Sequence, residues 1–499
     1  MPSRSRRRCS GRRACEERGQ ATYRGGSPRC AAADLLAGSS AGEPPDVRPS
    51  VSQTFRIGCG AGFSADRIDA AVTLIERARP EAVVFECLAE RTVAKAVLAR
   101  LADPAEGYDP WLEERLRAVL PAALAFGTTI ITNMGAANPA AAGRVARELA
   151  AEAGAPNLAI AVIEGDEVTE LVRQLDPPFL EWPGRPSDLG DRLVSAHAYL
   201  GAGPIVKALR AGARVVVAGR VADPALFLAP LQHRFGWASD DWERLGRGIL
   251  IGHLLECAGQ LTGGYFADPG VKDVASLAEL GLPFADVGPD GTAILGKPEG
   301  TGGRLDRLTC TEQLLYELHD PGAYLQPDAT ADFRSVRFEE VAPDQVRVSG
   351  GTGRPPPEAL KAVVGWRDGV VVEGGISYAG EGAVARARLA LDILRQRLAR
   401  RGLAVEALRT DVIGVDSLLR GGAVDPDPRV RDVRARLAAR VPDLSTARAL
   451  GHEIEALWLN GPAGGGGASW SMREGLAVAS VLVPRHLVRP TVTVLPAAA

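Results

Sequence analysis

Lysine, aromatic residues and long apolar runs are scarce in this chain of 499 residues. Only five of its 58 basic residues are lysine, aromatic residues make up 5%, and no apolar run approaches the length of about eighteen residues that a membrane-spanning helix needs. The net charge of -3 gives no electrostatic case for nucleic acid as a partner. We therefore expect neither a membrane protein nor a nucleic-acid-binding protein, and a small organic ligand is the expected partner.

The cysteines argue against a disulfide framework and against a zinc ribbon. Three of the seven lie in the first fifty residues, and the other four are dispersed without C-x-x-C spacing. Residues 1–50 also hold ten arginines and no lysine, and they have no periodic apolar pattern. We interpret them as a disordered Arg-rich extension and a start-site artefact, since Val51 fits a GTG start. Because Arg6-Arg7-Arg8 leads into no apolar segment, we expect a cytoplasmic protein.

From Phe55 onward, strand-like runs alternate with helical patterns. This alternation predicts an α/β fold over residues 51–330, with a mostly parallel sheet and helices on both faces. A smaller α+β domain is expected over residues 331–499. The predicted strands of the first domain are 55–59, 82–87, 128–133, 159–164 and 215–218. In the second domain we predict a hairpin at 333–349, strands at 361–366 and 370–376, a helix at 382–401, a strand at 411–415, helices at 427–440 and 446–459, and a Gly-rich loop at 464–467.

Polar residues follow three of the predicted strands, where the carboxyl ends of a parallel sheet bind ligands. Glu86 and Asp223 are candidate bases, and Asn133 and Asn138 are candidate donors to an oxyanion. Arg220 is a candidate clamp for a carboxylate or phosphate. Two structural alternatives stay open: Asn138 caps the helix that begins at Pro139, and Arg220 with Asp223 forms an internal ion pair.

The segment Gly252 to Gly270 predicts one wall of the site. If residues 249–260 are helical, His253, Glu256 and Gln260 lie on one stripe of that helix. His253 and Glu256 could then serve as an acid or hold a divalent metal, although a buried structural histidine is the alternative and no third ligand is evident. The other candidate substrate-binding residues of this segment are Gln260, Gly263, Gly264 and Asp268.

Two glycine-rich segments could bring backbone amides to a ligand. Gly60 and Gly62 lie in a turn between a strand and a helix, which favours an anion site. Their spacing is not G-x-G-x-x-G, so a nicotinamide cofactor is not expected. Gly465 and Gly466 belong to a run of four glycines that is either a ligand loop or a flexible linker.

Several ordered motifs together resemble the acyclic terpene utilisation AtuA family over residues 55–488. They are Gly-Ala-Gly-Phe at 60–63, Glu-Cys-Leu-Ala-Glu at 86–90, Asn-Met-Gly-Ala-Ala-Asn-Pro at 133–139, Gly-Arg-Val-Ala-Asp-Pro at 219–224, the segment 252–270, Glu-Gln-Leu-Leu-Tyr-Glu at 312–317 and Gly-Pro-Ala-Gly-Gly-Gly-Gly at 461–467. The resemblance implies a bacterial catabolic protein of acyclic terpene or branched acyl-CoA and carboxylate breakdown. It also implies a small ferredoxin-like partner subunit.

Together these features predict a catabolic enzyme that acts on an acyl-CoA or carboxylate as a hydratase or lyase, and we expect it to form a homo-oligomer. Its chemistry would be acid/base or metal-assisted. The alternative is a non-catalytic subunit of a catabolic complex that binds an acyl ligand or serves as a scaffold. Turnover distinguishes the two classes, because the alternative binds ligand with the same residues and transforms nothing.

Overall fold

The computed structural model describes residues 54–418 and 430–497. The predicted Arg-rich extension at residues 1–50 lies outside these ranges. The first half of the described chain alternates strands and helices, as the sequence predicts. Its elements are β1 (Phe55–Ala61), α1 (Ile68–Ala78), β2 (Ala82–Phe85), α2 (Glu90–Ala102), α3 (Leu112–Phe126), β3 (Thr129–Thr132), α4 (Pro139–Glu152), β4 (Ile160–Glu164), α5 (Thr169–Leu175), β5 (Leu193–Ala198), α6 (Gly203–Arg210), β6 (Val215–Ala218), α7 (Asp223–Phe235) and α8 (Trp242–Leu255).

The second half is richer in strands. Its elements are β7 (Phe284–Val287), β8 (Ala293–Gly296), α9 (Arg307–Leu315), β9 (Tyr324–Leu325), β10 (Thr330–Asp332), β11 (Arg337–Ala342), β12 (Gln345–Ser349), β13 (Thr352–Arg354), β14 (Ala359–Ala379), α10 (Ala383–Arg401), β15 (Ala407–Ile413), β16 (Asp432–Val441), α11 (Leu444–Asn460), β17 (Gly465–Pro484) and β18 (Thr491–Val494). Within the described ranges, no helix is both long and apolar enough to cross a membrane.

The largest sheet has ten strands in the order β11-β12-β8-β7-β1-β2-β3-β6-β4-β18. Its central strands β1, β2, β3, β6 and β4 pair in parallel, and the strands outside them pair antiparallel. The central strands are buried apolar runs, which is how parallel strands covered by helices read in sequence. The predicted α/β fold is confirmed, and the large sheet is mixed, with parallel strands at its centre.

A second sheet has the order β15-β16-β14-β17, and β5 also pairs with β14. Helices α10 and α11 pack against it and form a separate hydrophobic cluster with its buried side chains. Strands β11, β12 and β18 come from the part of the chain after residue 330, yet they extend the ten-stranded sheet. The predicted domain boundary at residue 330 stays a prediction.

Several predicted elements of the second half differ from the structure in type or extent. The helix predicted at 427–440 is strand β16 in its described part, because Val433, Ala435, Leu437 and Ala439 alternate with half-buried residues at the period of a strand. The strands predicted at 361–366 and 370–376 are one strand, β14, with an irregularity between Arg367 and Val370. The hairpin predicted from 333 consists of β11 and β12, and β11 begins only at Arg337. Gly465 and Gly466 begin β17 rather than form a loop.

Candidate acid/base site

The site begins with a carboxylate held at the end of β2. Asn133, which follows β3, donates through Nδ2 to Oε1 of Glu86 at 2.9 Å. The backbone N–H of Leu88 donates to the same oxygen at 3.0 Å, and Oδ1 of Asn133 accepts from the N–H of Cys87 at 2.8 Å. The neighbouring parallel strands therefore bring Glu86 and Asn133 together. In this arrangement Asn133 orients the carboxyl group, and its role as an oxyanion donor stays a prediction.

Arg220, after β6, connects this strand end to the start of α7. Its side chain is 1% exposed and donates to the carbonyls of Leu88 and Val221 and to the carboxylate of Asp223. The guanidinium also lies 4.5 Å from the centre of the Tyr199 ring, within the range of a cation–π contact. The internal ion pair between Arg220 and Asp223, one of the two alternatives, is present. Most N–H groups of the Arg220 guanidinium already donate to protein oxygens.

A buried Asp–His pair supports the backbone at Arg220. The N–H of Arg220 donates to Oδ2 of Asp166 at 2.8 Å, and Nδ1 of His197 lies 2.9 Å from the same oxygen. A Cβ on Gly219 would lie 2.6 Å from Oδ1 of Asp166, so only glycine allows the carboxylate this close. The sequence analysis did not single out Asp166 or His197, although Asp166 follows the predicted strand 159–164 and so lies at a strand end.

The opposite side of the site comes from the end of α8. The helix begins at Trp242 and ends at Leu255, and a short 3-10 turn, Ala258–Gln260, follows. The helix predicted at 249–260 is therefore wrong at both ends; Ala258, with φ of 45°, interrupts the helical path. Glu256 still lies beside His253, because the first residue after a helix remains near the residue three positions earlier.

His253 and Glu256 form a buried pair. Nδ1 of His253 lies 3.0 Å from Oε1 of Glu256, and Nε2 lies 3.1 Å from the carbonyl oxygen of Leu314. The second carboxyl oxygen of Glu256, Oε2, is buried and has no hydrogen-bond partner. Both ring nitrogens of His253 thus face protein oxygens. Among the described residues, no group of three or more His, Cys, Asp and Glu could hold a metal ion, and the predicted metal ligands stay a prediction.

The carboxyl groups of the site hold their protons more tightly than exposed carboxyls do. Burial, reinforced by the charge of Asp223, raises the pKa of Glu86 to about 8, although Arg220 and Asn133 act in the opposite direction. Burial also raises the pKa of Glu256 to about 7 against the influence of His253. For Asp223, burial and the charge of Glu90 raise the pKa, while Arg220 lowers it. Asp223 therefore acts on both Glu86 and Glu256, and all three carboxyl groups have raised pKa values.

One carboxylate at the rim of this group is ionised instead. Burial tends to raise the pKa of Glu90, but a hydrogen bond from the Tyr199 hydroxyl and the nearby Lys361 ammonium lower it to about 2. The Tyr199 oxygen lies 2.7 Å from Oε1 of Glu90, and Nζ of Lys361 lies 3.2 Å from it. The arrangement thus places a fixed negative charge beside groups that can gain or lose a proton near neutral pH.

The family model for the acyclic terpene utilisation family protein AtuA matches residues 55–494. The chain belongs to this family. The resemblance seen in the motifs is confirmed over nearly all of the described chain, and the family's description ties it to the use of acyclic terpenes. No curated protein and no solved structure matches the chain.

In this AtuA family member, Asn138 acts as a helix cap. Its Oδ1 accepts from the N–H of Ala141 at 3.3 Å, and its Nδ2 donates to the carbonyls of Pro104 and Glu106 at 3.0 and 2.7 Å. Both amide hydrogens are engaged by the loop before α3. The geometry favours the capping interpretation over the catalytic one.

The predicted ligand glycines at 60 and 62 permit close packing of protein against protein. A Cβ on Gly60 would lie 2.4 Å from the Phe85 ring, and one on Gly62 would lie 2.6 Å from the carbonyl carbon of Cys257. The N–H of Gly62 donates to Asp66 at 2.9 Å. Gly62 therefore lets the first turn approach the backbone at Glu256, and its role in binding a ligand stays a prediction.

The remaining predicted residues fall into two places. Gln260, Gly263, Gly264 and Asp268 lie in the chain that continues from Glu256, where Gly263 has φ of 104° and Asp268 pairs with Lys272 through the backbone. Gly465 and Gly466 pair with Tyr378 and Ser377 of β14, in the second sheet. These two glycines therefore belong to a different sheet from the strands that precede Glu86 and Asn133.

Three aromatic or basic residues of the site escaped the sequence analysis. Tyr199 follows β5, Lys361 lies on β14, and Tyr324 lies on β9 with its ring 5.0 Å from that of His253. Burial, with Glu256 and Asp223 nearby, raises the pKa of Tyr324 well above its usual value, so its hydroxyl keeps its proton. These three residues lie on or just after strands that are far apart in sequence, so no spacing of residues in the sequence indicates that they belong to the site.

The raised pKa values predict that the protein is less stable at high pH. Because the folded pKa of Glu86 and Glu256 exceeds the unfolded value of about 4.3, the folded state holds more protons, and stability falls as pH rises through about pH 5 to pH 8. Thermal unfolding of the wild type and of Glu86→Gln at pH 5.5 and pH 8 measures this. The variant should lose less stability over that interval, and an equal loss in both proteins would contradict the raised pKa of Glu86.

Proposed function

We propose that this chain is a hydratase or lyase that acts on an acyl-CoA or carboxylate in the breakdown of acyclic terpene or branched acyl compounds. The observation that supports this most is the group of three interacting carboxyls, Glu86, Asp223 and Glu256, whose pKa values are all raised. Addition of water to a double bond beside a carbonyl needs one group to take a proton and another to donate one.

The surroundings of each carboxyl group indicate which one acts as the base and which one as the acid. Asp223 contacts the Arg220 guanidinium, which favours its ionised form, and its side chain is 36% exposed. In the hydration direction Asp223 takes a proton from water as the water oxygen bonds to the β-carbon. Elimination reverses these steps, so that Asp223 returns the proton to the leaving hydroxide.

Glu256 is the proposed acid. With a pKa of about 7 it is protonated in a large fraction of molecules at neutral pH, and its Oε2 is buried without a protein partner. A buried polar atom with no partner is costly unless a ligand satisfies it. In hydration Glu256 gives its proton to the α-carbon, and the neighbouring His253 stabilises the carboxylate that remains. Glu86, held by Asn133, is the second group able to supply a proton.

Exchange of hydrogen with solvent tests the proposal. In D2O the wild type should exchange an α-hydrogen of 3-hydroxy-3-methylbutanoyl-CoA for deuterium through reversible loss and addition of water, detected by mass spectrometry. Glu256→Gln and Glu86→Gln keep the size of the side chain but cannot transfer the proton, so each should slow exchange by about a hundredfold or more. Glu152→Gln, at an exposed residue of α4, is the control and should leave the rate unchanged.

Two results would contradict the proposal. Wild-type exchange rates in both glutamine variants would remove the carboxyls from the chemistry. Binding of the thioester without exchange, also in the presence of a candidate partner subunit, would support the non-catalytic ligand-binding class instead. Light scattering on the same samples tests the accompanying proposals from the family resemblance, a homo-oligomer and a small ferredoxin-like partner.

A further inference from the structure

The hydroxyl group of Tyr324 is a hydrogen-bond donor that no protein group uses. Tyr324 is half-buried on β9, which pairs with β10. Its hydroxyl has no hydrogen-bond partner among the residues that the structure describes, whereas the hydroxyl of Tyr199 donates to Glu90. A hydroxyl that is partly exposed and unpaired is free to donate to a ligand.

Aromatic contacts hold this hydroxyl inside the acid/base site. The centre of the Tyr324 ring lies 5.0 Å from that of His253 and 5.3 Å from that of Phe333. Such contacts restrict the orientation of a ring. His253 in turn contacts Glu256, the proposed acid. Burial, and then the charges of Glu256 and Asp223, raise the pKa of the Tyr324 hydroxyl, so it lies near both the proposed acid and the proposed base.

The donors predicted from the sequence are already engaged by the protein. Asn133 donates to Glu86 and is 0% exposed. Both amide hydrogens of Asn138 go to backbone carbonyls. Most N–H groups of Arg220 donate to protein oxygens, and its side chain is 1% exposed. The Tyr324 hydroxyl is the donor that remains beside the proposed acid.

The charges of the site favour an uncharged ligand. Glu90 is ionised, and Asp223 is the proposed ionised base. The two basic groups beside them are already paired, Lys361 with Glu90 and Arg220 with Asp223. A carboxylate that entered this site would meet like charges and lose its hydration without gaining a cation of its own. An uncharged carbonyl oxygen requires only a hydrogen-bond donor.

We propose that the Tyr324 hydroxyl donates a hydrogen bond to the uncharged carbonyl oxygen of the substrate and stabilises the negative charge that forms there during addition or loss of water. This inference rests on the proposed function. As water bonds to the β-carbon, the electron pair of the double bond moves toward the carbonyl oxygen. The pair then forms the bond between the α-carbon and the proton from Glu256. Tyr324 keeps its own proton throughout, and the free acid, which is a carboxylate, should bind poorly.

Removal of the hydroxyl alone tests this role. Tyr324→Phe keeps the ring that contacts His253 and Phe333. It should slow deuterium exchange by about a hundredfold with the KM for the thioester nearly unchanged, because the contact strengthens only as the charge forms. Tyr378→Phe is the matched control. The Tyr378 hydroxyl also lacks a partner but is buried against the second sheet, so this variant should exchange at the wild-type rate.

An enolate measures the same contact without turnover. 3-Oxobutanoyl-CoA is in equilibrium with an enolate that carries its charge on the carbonyl oxygens and absorbs in the near ultraviolet. The ratio of bound enolate to bound keto form should be about tenfold lower in Tyr324→Phe than in the wild type, as expected for the loss of one hydrogen bond to a charged oxygen.

A pair of small ligands tests the preference for an uncharged carbonyl. The N-acetylcysteamine thioester of 3-hydroxy-3-methylbutanoic acid carries no nucleotide and no charge. Calorimetric titration should show that the wild type binds it at least about tenfold more tightly than the free acid.

Three results would overturn the proposal: wild-type exchange in Tyr324→Phe, the same enolate ratio in that variant as in the wild type, and a free acid that binds as tightly as the thioester. The two proposals fail separately. Slow exchange in Glu256→Gln with wild-type exchange in Tyr324→Phe keeps the reaction and removes the donor. An enolate ratio that depends on Tyr324, without exchange in the wild type, keeps the donor and removes the reaction.

Discussion

Arg220→Ala should lower the free energy of unfolding by about 3–5 kcal/mol, because it removes one partner of a buried charged network. Arg220 is 1% exposed, and its donors satisfy the carbonyls of Leu88 and Val221 and the carboxylate of Asp223. Without the guanidinium, those acceptors lose their partner. The variant also removes the positive charge that favours ionisation of Glu86 and Asp223. Urea denaturation followed by circular dichroism measures the loss.

The chain offers a matched control for this variant. Arg244 and Asp241 form another pair three residues apart, but the Arg244 side chain is 48% exposed. Arg244→Ala should cost less than about 1 kcal/mol, as exposed ion pairs do. Equal losses for the two variants would contradict the view that burial makes the Arg220 network important.

Gly252→Ala should destabilise the protein by about 2 kcal/mol, although alanine has a higher helix propensity than glycine. A Cβ at this position would lie 2.7 Å from Cα of Pro224, in the backbone at the start of α7. Helix α8 would have to move away from α7, and this displacement carries His253 and Glu256 away from Asp223. We therefore expect a loss of deuterium exchange beyond the loss of folded protein.

Gly203→Ala separates this clash from the ordinary effect of the substitution. Gly203 is the first residue of α6, and no atom lies within 4 Å of a Cβ built there. The variant should gain a few tenths to about 1 kcal/mol, because alanine restricts the unfolded chain. A gain at both positions, measured by thermal unfolding, would show that α8 and α7 tolerate more separation than the contact indicates.

The strand ends of the site could be predicted from sequence because the rule behind them is local. A buried β-branched run ends at Phe85, another at Thr132 and a third at Ala218. Parallel pairing then requires that the residues just after these strands meet at one edge. Glu86, Asn133, Arg220 and Asp223 were found in this way.

The prediction from sequence was wrong for β16, where strand pairing outweighs the helix propensity of the residues. Arg434 to Arg440 is rich in alanine, arginine and leucine, which favour helices. The segment nevertheless pairs on one side with β14 and on the other with β15, so that the sheet decides its conformation. Contacts such as Asp166 with His197, or Tyr199 with Glu90, join strands and helices far apart in sequence, and no spacing reveals them.

Strand β18 is made long after β4, the strand with which it pairs. It pairs antiparallel with β4 and so covers the side of β4 that would otherwise lie at the edge of the sheet. About 330 residues separate the two strands in the chain. While the ribosome adds those residues, β4 presents unpaired amides and carbonyls to whatever strand is near. The growing chain is thus open to wrong partners at this edge until β18 has been made, and mispairing during that interval favours aggregation.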